Sequence, residues 1–308
     1  MNKELKGLVT NIQDFAVQDG SGLRLLVFLK GCGMRCKWCQ NPESLEAYPE
    51  IAFRSNLCVN CGRCKESCSE GAIISAENGK IDRNKCNFCM ECIKVCSTTA
   101  LIKIGKWMTA EEVLKKVIDY SAFFNASNNG GVTLSGGDPL YQWEFSTELI
   151  RLFKENRIHS AIETSGYVSY NIFKKVIEHL DLLLYDIKHM NEEYHIIGTG
   201  VSNKVILDNI KKIRKEKEEL ECVIRIPLIP GFNDGEENIR KTADYVNHLG
   251  IKQIDLLPFN ELPIVKYREM GQGEWEYKHR SRQSDEQLNR LEKIVKSVGL
   301  NVTVGGLW

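Results

Sequence analysis

The stretch that decides the fold is Gly31-Cys32-Gly33-Met34-Arg35-Cys36-Lys37-Trp38-Cys39-Gln40, which follows the apolar run at 25–29. It places three cysteines in a CxxxCxxC spacing on one short loop. Three thiolates so placed can hold three corners of a 4Fe–4S cluster, and the fourth iron then keeps an open coordination position, as reactive metal centres do. A structural zinc site or a disulfide is the alternative interpretation of this loop taken alone.

The composition excludes several classes of protein. Lys plus Arg and Asp plus Glu number 41 each, so the formal net charge is zero. The chain therefore has no net positive charge that would attract nucleic acid or an anionic membrane. The segment 1–6 is too polar for a signal peptide, and no apolar run approaches the length of a transmembrane helix. Of the 12 cysteines, 11 lie between Cys32 and Cys96, which indicates metal ligation. The sequence therefore predicts a soluble, oxygen-sensitive cytoplasmic protein.

An internal repeat occupies the segment from about 51 to 104. Both copies read CxxCxxCxxxC, offset by 28 residues, and Ser69 and Ser97 replace the proline that usually follows the fourth cysteine. In two-cluster bacterial ferredoxins with this pattern, three cysteines of one copy share a cluster with the fourth of the other. By this rule one cluster is held by Cys58, Cys61, Cys64 and Cys96. The second cluster is held by Cys86, Cys89, Cys92 and Cys68.

Before and after the repeat, the pattern is one of strands and helices. Two strands are predicted at 7–15 and 25–30, around a turn at Asp19-Gly20. Thr109-Ala110-Glu111-Glu112 is a capping box that opens a helix predicted to run to about Phe124, and Ser284 with Gln287 opens a last helix in the same way. Six apolar runs lie at 132–134, 160–162, 182–185, 223–226, 254–257 and 302–304. The pattern predicts an α/β fold with a parallel sheet, open or curled into a partial barrel.

Polar or glycine-rich residues follow the predicted strands. They are the cysteine loop, Ser135-Gly136-Gly137-Asp138-Pro139, Glu163-Thr164-Ser165-Gly166, Asp186-Ile187-Lys188, Arg225 with Pro227, and Pro258-Phe259-Asn260. In parallel α/β sheets the chemistry lies at the carboxyl ends of the strands. The sequence therefore predicts one site built from many loops.

The cysteine loop, taken with Gly136-Gly137-Asp138-Pro139, resembles the radical S-adenosylmethionine (SAM) superfamily. The DGSGLR stretch at 19–24 is similar to the DGPGIR motif, and the stretches at 129–135, 162–166 and 186–190 also match. Together they resemble the glycyl-radical enzyme activating enzymes over nearly the whole chain. The resemblance implies a partial (β/α)6 barrel in two parts, 1–48 and 105–308. Residues 49–104 form an inserted ferredoxin-like domain with two 4Fe–4S clusters.

The resemblance also assigns roles to residues. Cys32, Cys36 and Cys39 ligate the catalytic cluster, and the amino and carboxylate groups of SAM chelate its open iron. The implied contacts with SAM are Trp38, Gln40, Gly136, Gly137, Asp138, Asp186, Lys188, Arg225 and Asn260. Glu163 and Thr164 lie where some members bind a monovalent cation.

Two of these positions depart from the family pattern. Asp138 stands where the family has glutamate, and Asn260 replaces the histidine of the family's PxHxxG stretch. An amide can donate and accept hydrogen bonds but does not titrate near neutral pH. We therefore expect Asn260 to be a SAM contact of altered character.

The implied activity is the activation of a partner enzyme. One electron enters the sulfonium of SAM, which breaks into methionine and a 5′-deoxyadenosyl radical. The radical takes a hydrogen atom from the Cα of one glycine in a glycyl-radical enzyme and leaves a stored glycyl radical. The protein orients the reactants and excludes water, while the clusters and SAM carry the radical chemistry. Three 4Fe–4S clusters, a flavodoxin or ferredoxin donor and a monomeric state are implied.

Two other functions remain open from the sequence. A radical SAM enzyme with auxiliary clusters could act directly on a small molecule or peptide. A non-catalytic electron carrier would explain the eight cysteines of the repeat but not the cysteine loop or the glycine pair. Within the family, the segments 135–141, 229–234 and 302–306 are similar to activators of benzylsuccinate-synthase-like enzymes. Activators of arylacetate decarboxylase, glycerol dehydratase, choline lyase and isethionate lyase share most of these motifs.

Overall fold

Seven parallel strands form the centre of the fold in the computed structural model, which describes residues 4–75 and 79–306. The strands are β1 (Lys6–Ala16), β2 (Arg24–Leu29), β3 (Glu50–Phe53), β4 (Leu101–Ile104), β5 (Lys106–Thr109), β6 (Gly131–Gly136), β7 (His159–Thr164), β8 (Leu182–Asp186), β9 (Glu221–Pro227), β10 (Gln253–Leu257) and β11 (Asn301–Val304). The helices are α1 (Arg63–Glu66), α2 (Glu91–Lys94), α3 (Ala110–Ile118), α4 (Ser121–Ala126), α5 (Trp143–Glu155), α6 (Tyr170–Val176), α7 (Glu192–Thr199), α8 (Lys204–Glu216), α9 (Glu236–His248), α10 (Pro263–Glu269) and α11 (Asp285–Ser297).

The main sheet has nine strands in the order β11-β10-β9-β8-β7-β6-β2-β1-β5. Neighbours from β2 to β11 pair in parallel, whereas β1 pairs antiparallel with β2 and β5. The six apolar runs predicted as strands all lie within β6 to β11, which confirms the predicted α/β fold with a parallel sheet. Because β11 and β5 end the strand order, the sheet stays open.

Both faces of the sheet are buried, as parallel sheets require. On β8, Leu183 and Tyr185 belong to the main apolar core shared with the helices. The alternate residues Leu182 and Leu184 form a small separate cluster on the other, inner face, with Ala161 and Val223. The continuous apolar run of β8 is therefore explained by burial on both sides.

The connection between β1 and β2 covers part of this inner face. Thr133 in β6 donates its hydroxyl to the carbonyl of Asp19 at 2.7 Å, and Arg24 donates to the Thr133 hydroxyl at 2.6 Å. Gly20 has φ +120°, and a Cβ placed there would lie 2.9 Å from the Arg24 side chain. The predicted strands are confirmed. The segment between them is a loop that packs against the inner face of the sheet, rather than a plain hairpin turn.

The capping box at the start of α3 is confirmed. The Thr109 hydroxyl accepts from the Glu112 amide at 3.1 Å, and the Thr109 amide donates to the Glu112 carboxylate at 2.8 Å. The prediction of one helix to Phe124 is wrong, because α3 ends at Ile118 and α4 begins at Ser121. Tyr120 lies at the break, where its hydroxyl donates to Asp14 of β1 at 2.8 Å.

The capping box predicted for α11 is only half formed. The Ser284 hydroxyl accepts from the Gln287 amide at 3.2 Å, so the cap itself is confirmed. The Gln287 side chain donates to the Asp234 carboxylate at 3.1 Å. This contact ties α11 to the loop before α9.

The cysteine repeat has its own small core. β3 and β4 pair antiparallel as a separate two-stranded sheet at the base of the segment. Its buried apolar side chains form a cluster distinct from the main core, consisting of Ile51, Phe53, Ile73, Ile81, Cys92, Ala100 and Leu101. Neither of these short strands was predicted from the sequence, because each adds only four residues to a cysteine-rich background.

A buried ion cluster joins this segment to the main sheet. The Lys30 ammonium lies 2.6 Å from one carboxylate oxygen of Glu50, and the Arg83 guanidinium lies 3.1 Å from the other. The Lys30 ammonium also donates to the Glu43 carbonyl at 2.7 Å. The side chains of Lys30 and Glu50 are 0% and 3% exposed. Since Lys30 directly precedes the cysteine loop, the cluster fixes the end of β2 against β3.

No helix in the two described segments has the length and apolar composition needed to cross a bilayer.

We predict that Lys30→Met lowers the free energy of unfolding of the metal-free protein by about 3 kcal/mol. The substitution leaves the Glu50 carboxylate buried with Arg83 as its only cation. Urea denaturation followed by circular dichroism measures the change. Lys212→Met is the control, because the Lys212–Asp208 pair is exposed and its loss is expected to change stability by less than about 1 kcal/mol. Equal changes in the two variants would contradict the prediction.

Candidate active site

A cavity of about 670 Å³ opens at the carboxyl ends of the parallel strands. This volume is within the usual range for small-molecule sites. Every residue that the sequence assigns to the catalytic cluster or to SAM lines it: Cys32, Cys36, Cys39, Trp38, Gln40, Gly136, Gly137, Asp138, Asp186, Lys188, Arg225 and Asn260. Glu163 and Thr164 line it as well. The structure thus brings the loops after six strands to one place.

Backbone hydrogen bonds hold the cysteine loop on two sides. The Gly31 amide donates to the Ser44 carbonyl at 2.7 Å, and the Lys37 amide donates to the Gly198 carbonyl near the end of α7 at 3.0 Å. A Cβ on Gly198 would lie 2.7 Å from the Trp38 ring, so only glycine allows α7 to approach this closely. Contacts with neighbouring segments of the protein therefore fix the position of the loop.

The three cysteines of the loop are free thiols, as are the other nine. Burial raises the pKa of all three thiols, that of Cys39 to about 12. Metal binding needs thiolates, so loading this loop must release protons. In residues 4–75 and 79–306 no three His, Cys, Asp or Glu side chains are arranged around a single metal ion. An iron–sulfur cluster is larger than one ion and holds its thiolate ligands further apart.

Trp38 combines a place in the cavity wall with a packing role. It is 2% exposed and belongs to an aromatic and aliphatic cluster with Phe259 and Trp275. Its ring centroid lies 4.5 Å from that of Phe232. The Trp38 side chain thus anchors the last part of the cysteine loop against the segments after β9 and β10.

Gln40 and Asn260 lie at the rim of the cavity. The Gln40 carbonyl accepts from the Lys266 ammonium of α10 at 3.0 Å, so its backbone is tied to that helix. Asn260 is exposed, and its side-chain oxygen accepts from the Leu262 amide at 3.2 Å. At position 260, an amide in place of the family histidine therefore also caps the turn that leads into α10.

Asp138 is buried, and the protein itself satisfies its carboxylate. One oxygen accepts from the Leu140 amide at 3.0 Å and from the Thr164 hydroxyl at 2.7 Å. The other accepts from the amide and the hydroxyl of Ser165, at 3.1 and 2.6 Å. The shorter carboxylate at this position therefore locks the glycine-pair loop after β6 to the end of β7.

The glycine pair is required by the packing of the protein. Gly136 has φ +115°, and a Cβ on it would lie 2.3 Å from the Leu29 carbonyl. A Cβ on Gly137 would lie 2.4 Å from the Gly31 carbonyl and 2.5 Å from the Ser44 carbonyl. The sequence attributes these glycines to the approach of SAM, whereas in the structure the first contact of any side chain there is the base of the cysteine loop.

The Arg225 guanidinium is the central charge of the site. It lies 2.9 Å from the Asp19 carboxylate and 3.1 Å from the Glu163 carboxylate. The other Glu163 oxygen accepts from the Ser135 hydroxyl at 2.6 Å. Burial opposes the charge on Arg225, but its carboxylate neighbours outweigh that effect and raise its pKa. The guanidinium is thus held charged and joins β6, β7 and β9 to the loop that carries Asp19.

Asp186 and Lys188 form a second charged pair at the end of β8. Their carboxylate and ammonium groups lie 2.9 Å apart. Burial disfavours the charged Lys188, but Asp186 and the nearby Cys36 outweigh it and raise the Lys188 pKa. The second Asp186 oxygen, Oδ1, and the Arg225 Nε are buried without a hydrogen-bond partner in the described residues. A polar ligand with a hydroxyl and a carboxylate, such as SAM, fits these unpartnered groups and the adjacent Lys188.

The sequence analysis did not assign a role in the site to three polar residues, Asp19, Ser165 and Lys266. Asp19 lies in the DGSGLR stretch, which signals its importance, and Ser165 follows directly after Thr164. Lys266 has no sequence signal, yet its ammonium lies 2.7 Å from the Asn41 side-chain oxygen and 2.7 Å from the Glu43 carboxylate. It clamps the segment after the cysteine loop.

Comparison with known proteins identifies the class. The Radical SAM superfamily matches residues 83–244, more than half of the chain, in a range that begins after the cysteine loop. The structure of Streptococcus suis SuiB bound to precursor peptide SuiA has the same fold, with a TM-score of 0.54 over 96% of this chain and 50% of that chain at 15% identity. The chain belongs to the radical SAM superfamily, whose members use a 4Fe–4S cluster and SAM.

Two relatives narrow the class. The chain is 41% identical to the isethionate sulfite-lyase activating enzyme of Oleidesulfovibrio alaskensis, over 86% of this chain and 87% of the relative. It is 37% identical to the 4-hydroxyphenylacetate decarboxylase activating enzyme of Clostridium scatologenes, over 94% of each. Within the superfamily, the chain therefore belongs to the glycyl-radical enzyme activating enzymes. The family and the class of activity predicted from the sequence are confirmed.

We predict that Arg225→Gln lowers the free energy of unfolding of the metal-free protein by roughly 3–5 kcal/mol at pH 8. Burial and Glu163 already raise the pKa of Asp19 against the opposing charge of Arg225, so losing Arg225 raises it further. A carboxyl whose pKa is raised on folding stabilises the fold at low pH and loses that contribution as pH rises. Urea denaturation between pH 5 and pH 8 should therefore show a larger defect at the higher pH.

The matched control is Arg290→Gln, whose guanidinium is half exposed and pairs with Glu286 on α11. We expect a change within about 0.5 kcal/mol that does not depend on pH. A defect in Arg225→Gln that is the same at pH 5 and pH 8 would show that the charge cluster does not carry the effect.

Proposed function

We propose that Cys32, Cys36 and Cys39 hold the catalytic 4Fe–4S cluster and that SAM binds beside it in the cavity. The observation that carries this assignment is that one cavity combines three free thiols with unpartnered buried donor and acceptor atoms. When bound, the cluster and SAM supply the radical chemistry that removes a hydrogen atom from a glycine of the partner enzyme.

The residues of the chain bind and orient the cosubstrate. Lys188 and Arg225 present positive charge to the carboxylate end of SAM, and Asp186 Oδ1 is an acceptor for a ribose hydroxyl. Trp38 and Gln40 lie on the side assigned to the adenine, and Gly136, Gly137, Asp138 and Asn260 complete the wall. The buried setting of these groups excludes water and fixes the reacting groups relative to one another.

The monovalent cation suggested by the family near Glu163 and Thr164 has a competitor in this chain. The Glu163 carboxylate already contacts the Arg225 guanidinium and the Ser135 hydroxyl. The Thr164 hydroxyl donates to Asp138 and accepts from the Gly166 amide. We assign the positive charge at this position to Arg225, with no monovalent cation.

Residues 49–104 form an inserted ferredoxin-like domain with two further 4Fe–4S clusters, three in all. Two small cavities of about 20 Å³ each support the crossed ligand sets. One is lined by Cys58, Cys61, Cys64 and Cys96. The other is lined by Cys68, Cys86, Cys89 and Cys92. The barrel then comprises 1–48 and 105–308.

The clusters of the insert relay electrons from a flavodoxin or ferredoxin donor toward the cysteine loop. The activator works as a monomer in the cytoplasm, where reducing conditions keep the eleven ligand thiols free for metal. Its protein substrate is a glycyl-radical enzyme with a C-terminal glycine loop. Two partners are to be tested first, isethionate sulfite-lyase and 4-hydroxyphenylacetate decarboxylase, because the similar activating enzymes are named for them.

We predict that Cys36→Ala abolishes SAM cleavage and leaves roughly two thirds of the iron, because two of three equal clusters remain. The protein is reconstituted with iron and sulfide without oxygen, reduced and given SAM. Chromatography then measures 5′-deoxyadenosine and methionine, and a colorimetric assay measures iron. Cys222→Ala is the control, because the Cys222 thiol is buried in the main core outside all three ligand sets and its loss should leave the iron unchanged.

Loss of nearly all the iron in Cys36→Ala would mean that the loop is structural for every cluster. A wild-type protein with three assembled clusters that leaves SAM intact would favour the electron carrier over the activator.

The partner assignment has its own test. The reconstituted activator is incubated with SAM and with each of the two candidate partner enzymes, and electron paramagnetic resonance (EPR) detects a glycyl radical. We expect a radical in at least one of them, and none when its radical glycine is replaced by alanine. Cleavage of SAM without a radical in either would favour a different glycyl-radical enzyme as partner.

A further inference from the structure

Lys80 is a buried cation beside one of the two cysteine sets of the insert. It lines the same cavity as Cys58, Cys61, Cys64 and Cys96 and is only 9% exposed. Its ammonium lies 5.9 Å from the centroid of the Phe53 ring. Among residues 4–75 and 79–306 no carboxylate lies within ion-pair distance of it. A lysine is rarely buried in this way without a counter-charge.

The other cysteine set has the opposite surroundings. Among the described residues, its cavity has no Lys or Arg in its lining, and it includes Glu70. The Glu70 carboxylate accepts from the Ser69 hydroxyl and the Asn87 amide group, both at 3.2 Å, so it is held beside this cavity. The duplicated cysteine pattern is therefore symmetric in ligands and asymmetric in charge.

We infer that Lys80 is the missing counter-charge of the cluster at Cys58, Cys61, Cys64 and Cys96, and that it gives this cluster the higher reduction potential of the two. The inference rests on the twin-cluster insert of the proposed function. Reduction adds one negative charge to a cluster, and a cation nearby in a medium of low dielectric stabilises the reduced form.

The position of this cluster gives the inference a functional meaning. Its cavity is lined by Phe53 and Leu101, which pair at one end of the two-stranded sheet. The opposite end of that sheet holds Glu50, which contacts Lys30 next to the cysteine loop. The cavity of the second set is lined by Ile51, nearer Glu50. An incoming electron therefore rests preferentially at the end of the insert remote from the catalytic loop.

The test is a potentiometric titration of the reconstituted full chain, with EPR reporting the reduced clusters. We expect Lys80→Met to lower the potential of one insert cluster and leave the other unchanged. At a fixed solution potential, the ratio of reduced to oxidised cluster should fall about tenfold, which corresponds to about 59 mV for a one-electron couple. Lys80→Arg keeps the charge and should keep the potential.

Two further variants sharpen the assignment. Lys85→Met removes an insert lysine that is 63% exposed and pairs with Asp82, so both potentials should stay unchanged. Glu70→Gln removes an exposed negative charge that lines the second cavity. It should raise the potential of the cluster at Cys68, Cys86, Cys89 and Cys92, by less than Lys80→Met lowers that of the first cluster. Each EPR signal can thus be assigned to one of the two clusters from the variant that shifts its reduction potential.

The inference is overturned if Lys80→Met leaves both potentials unchanged in a protein with full iron content, or shifts the two clusters equally. It is also overturned if Lys80→Arg shifts the potential as much as Lys80→Met, since the charge would then not be the cause. Failure of the proposed function looks different. The wild-type chain would then bind iron for only one cluster, and no insert signals would be available to shift.

Discussion

Strands that end together at one edge of a sheet bring their terminal polar groups into a poorly hydrated interior. A carboxylate there is stable only beside a cation or where several hydrogen-bond donors surround it. The Arg225 guanidinium meets this constraint for two carboxylates at once, Asp19 from the β1–β2 loop and Glu163 from β7. Because Asp19 is carried by the loop that covers the inner sheet face, the closure of that face and the polarity of the site depend on the same charge. The position of Arg225 in β9, beside Asp186 in β8, follows from the strand register.

The cysteine loop shows how the rest of the molecule serves this site. The backbone carbonyls of Ser44 and Gly198 hold it at both ends, and the glycine pair after β6 packs against its base. Asp138 then fixes the glycine pair to the end of β7 through three hydrogen bonds, from Thr164 and Ser165. Three loops from three strands are thus locked to one another by the protein alone. Contacts within the protein therefore fix the relative positions of these three loops.

The sequence was sufficient to predict β1 and the seven parallel strands of the main sheet. Apolar runs mark strands buried on both faces, and strand ends in a parallel sheet must converge. The residues predicted to hold the catalytic cluster or SAM therefore line one cavity. Partners within the site were not predictable, because Asp19 and Arg225 are 206 residues apart and meet only through the fold. The break between α3 and α4 was missed because Tyr120 is bound by β1, a contact that helical periodicity does not contain. The short strands β3 and β4 lay below the length at which alternation is visible.

The ion cluster at Lys30 determines whether residues 49–104 can be removed from the chain without a further substitution. Residues 49–104 look separable, since they contain their own two-stranded sheet and their own apolar cluster. Cutting it out and joining the cysteine loop directly to β5 would remove Glu50 and Arg83 while leaving Lys30 in place. Its ammonium would then be buried with no counter-charge next to the cysteine loop. A version of this chain without residues 49–104 would therefore need an apolar residue at position 30. Lys30 thus indicates that the main sheet is adapted to the segment that follows the cysteine loop.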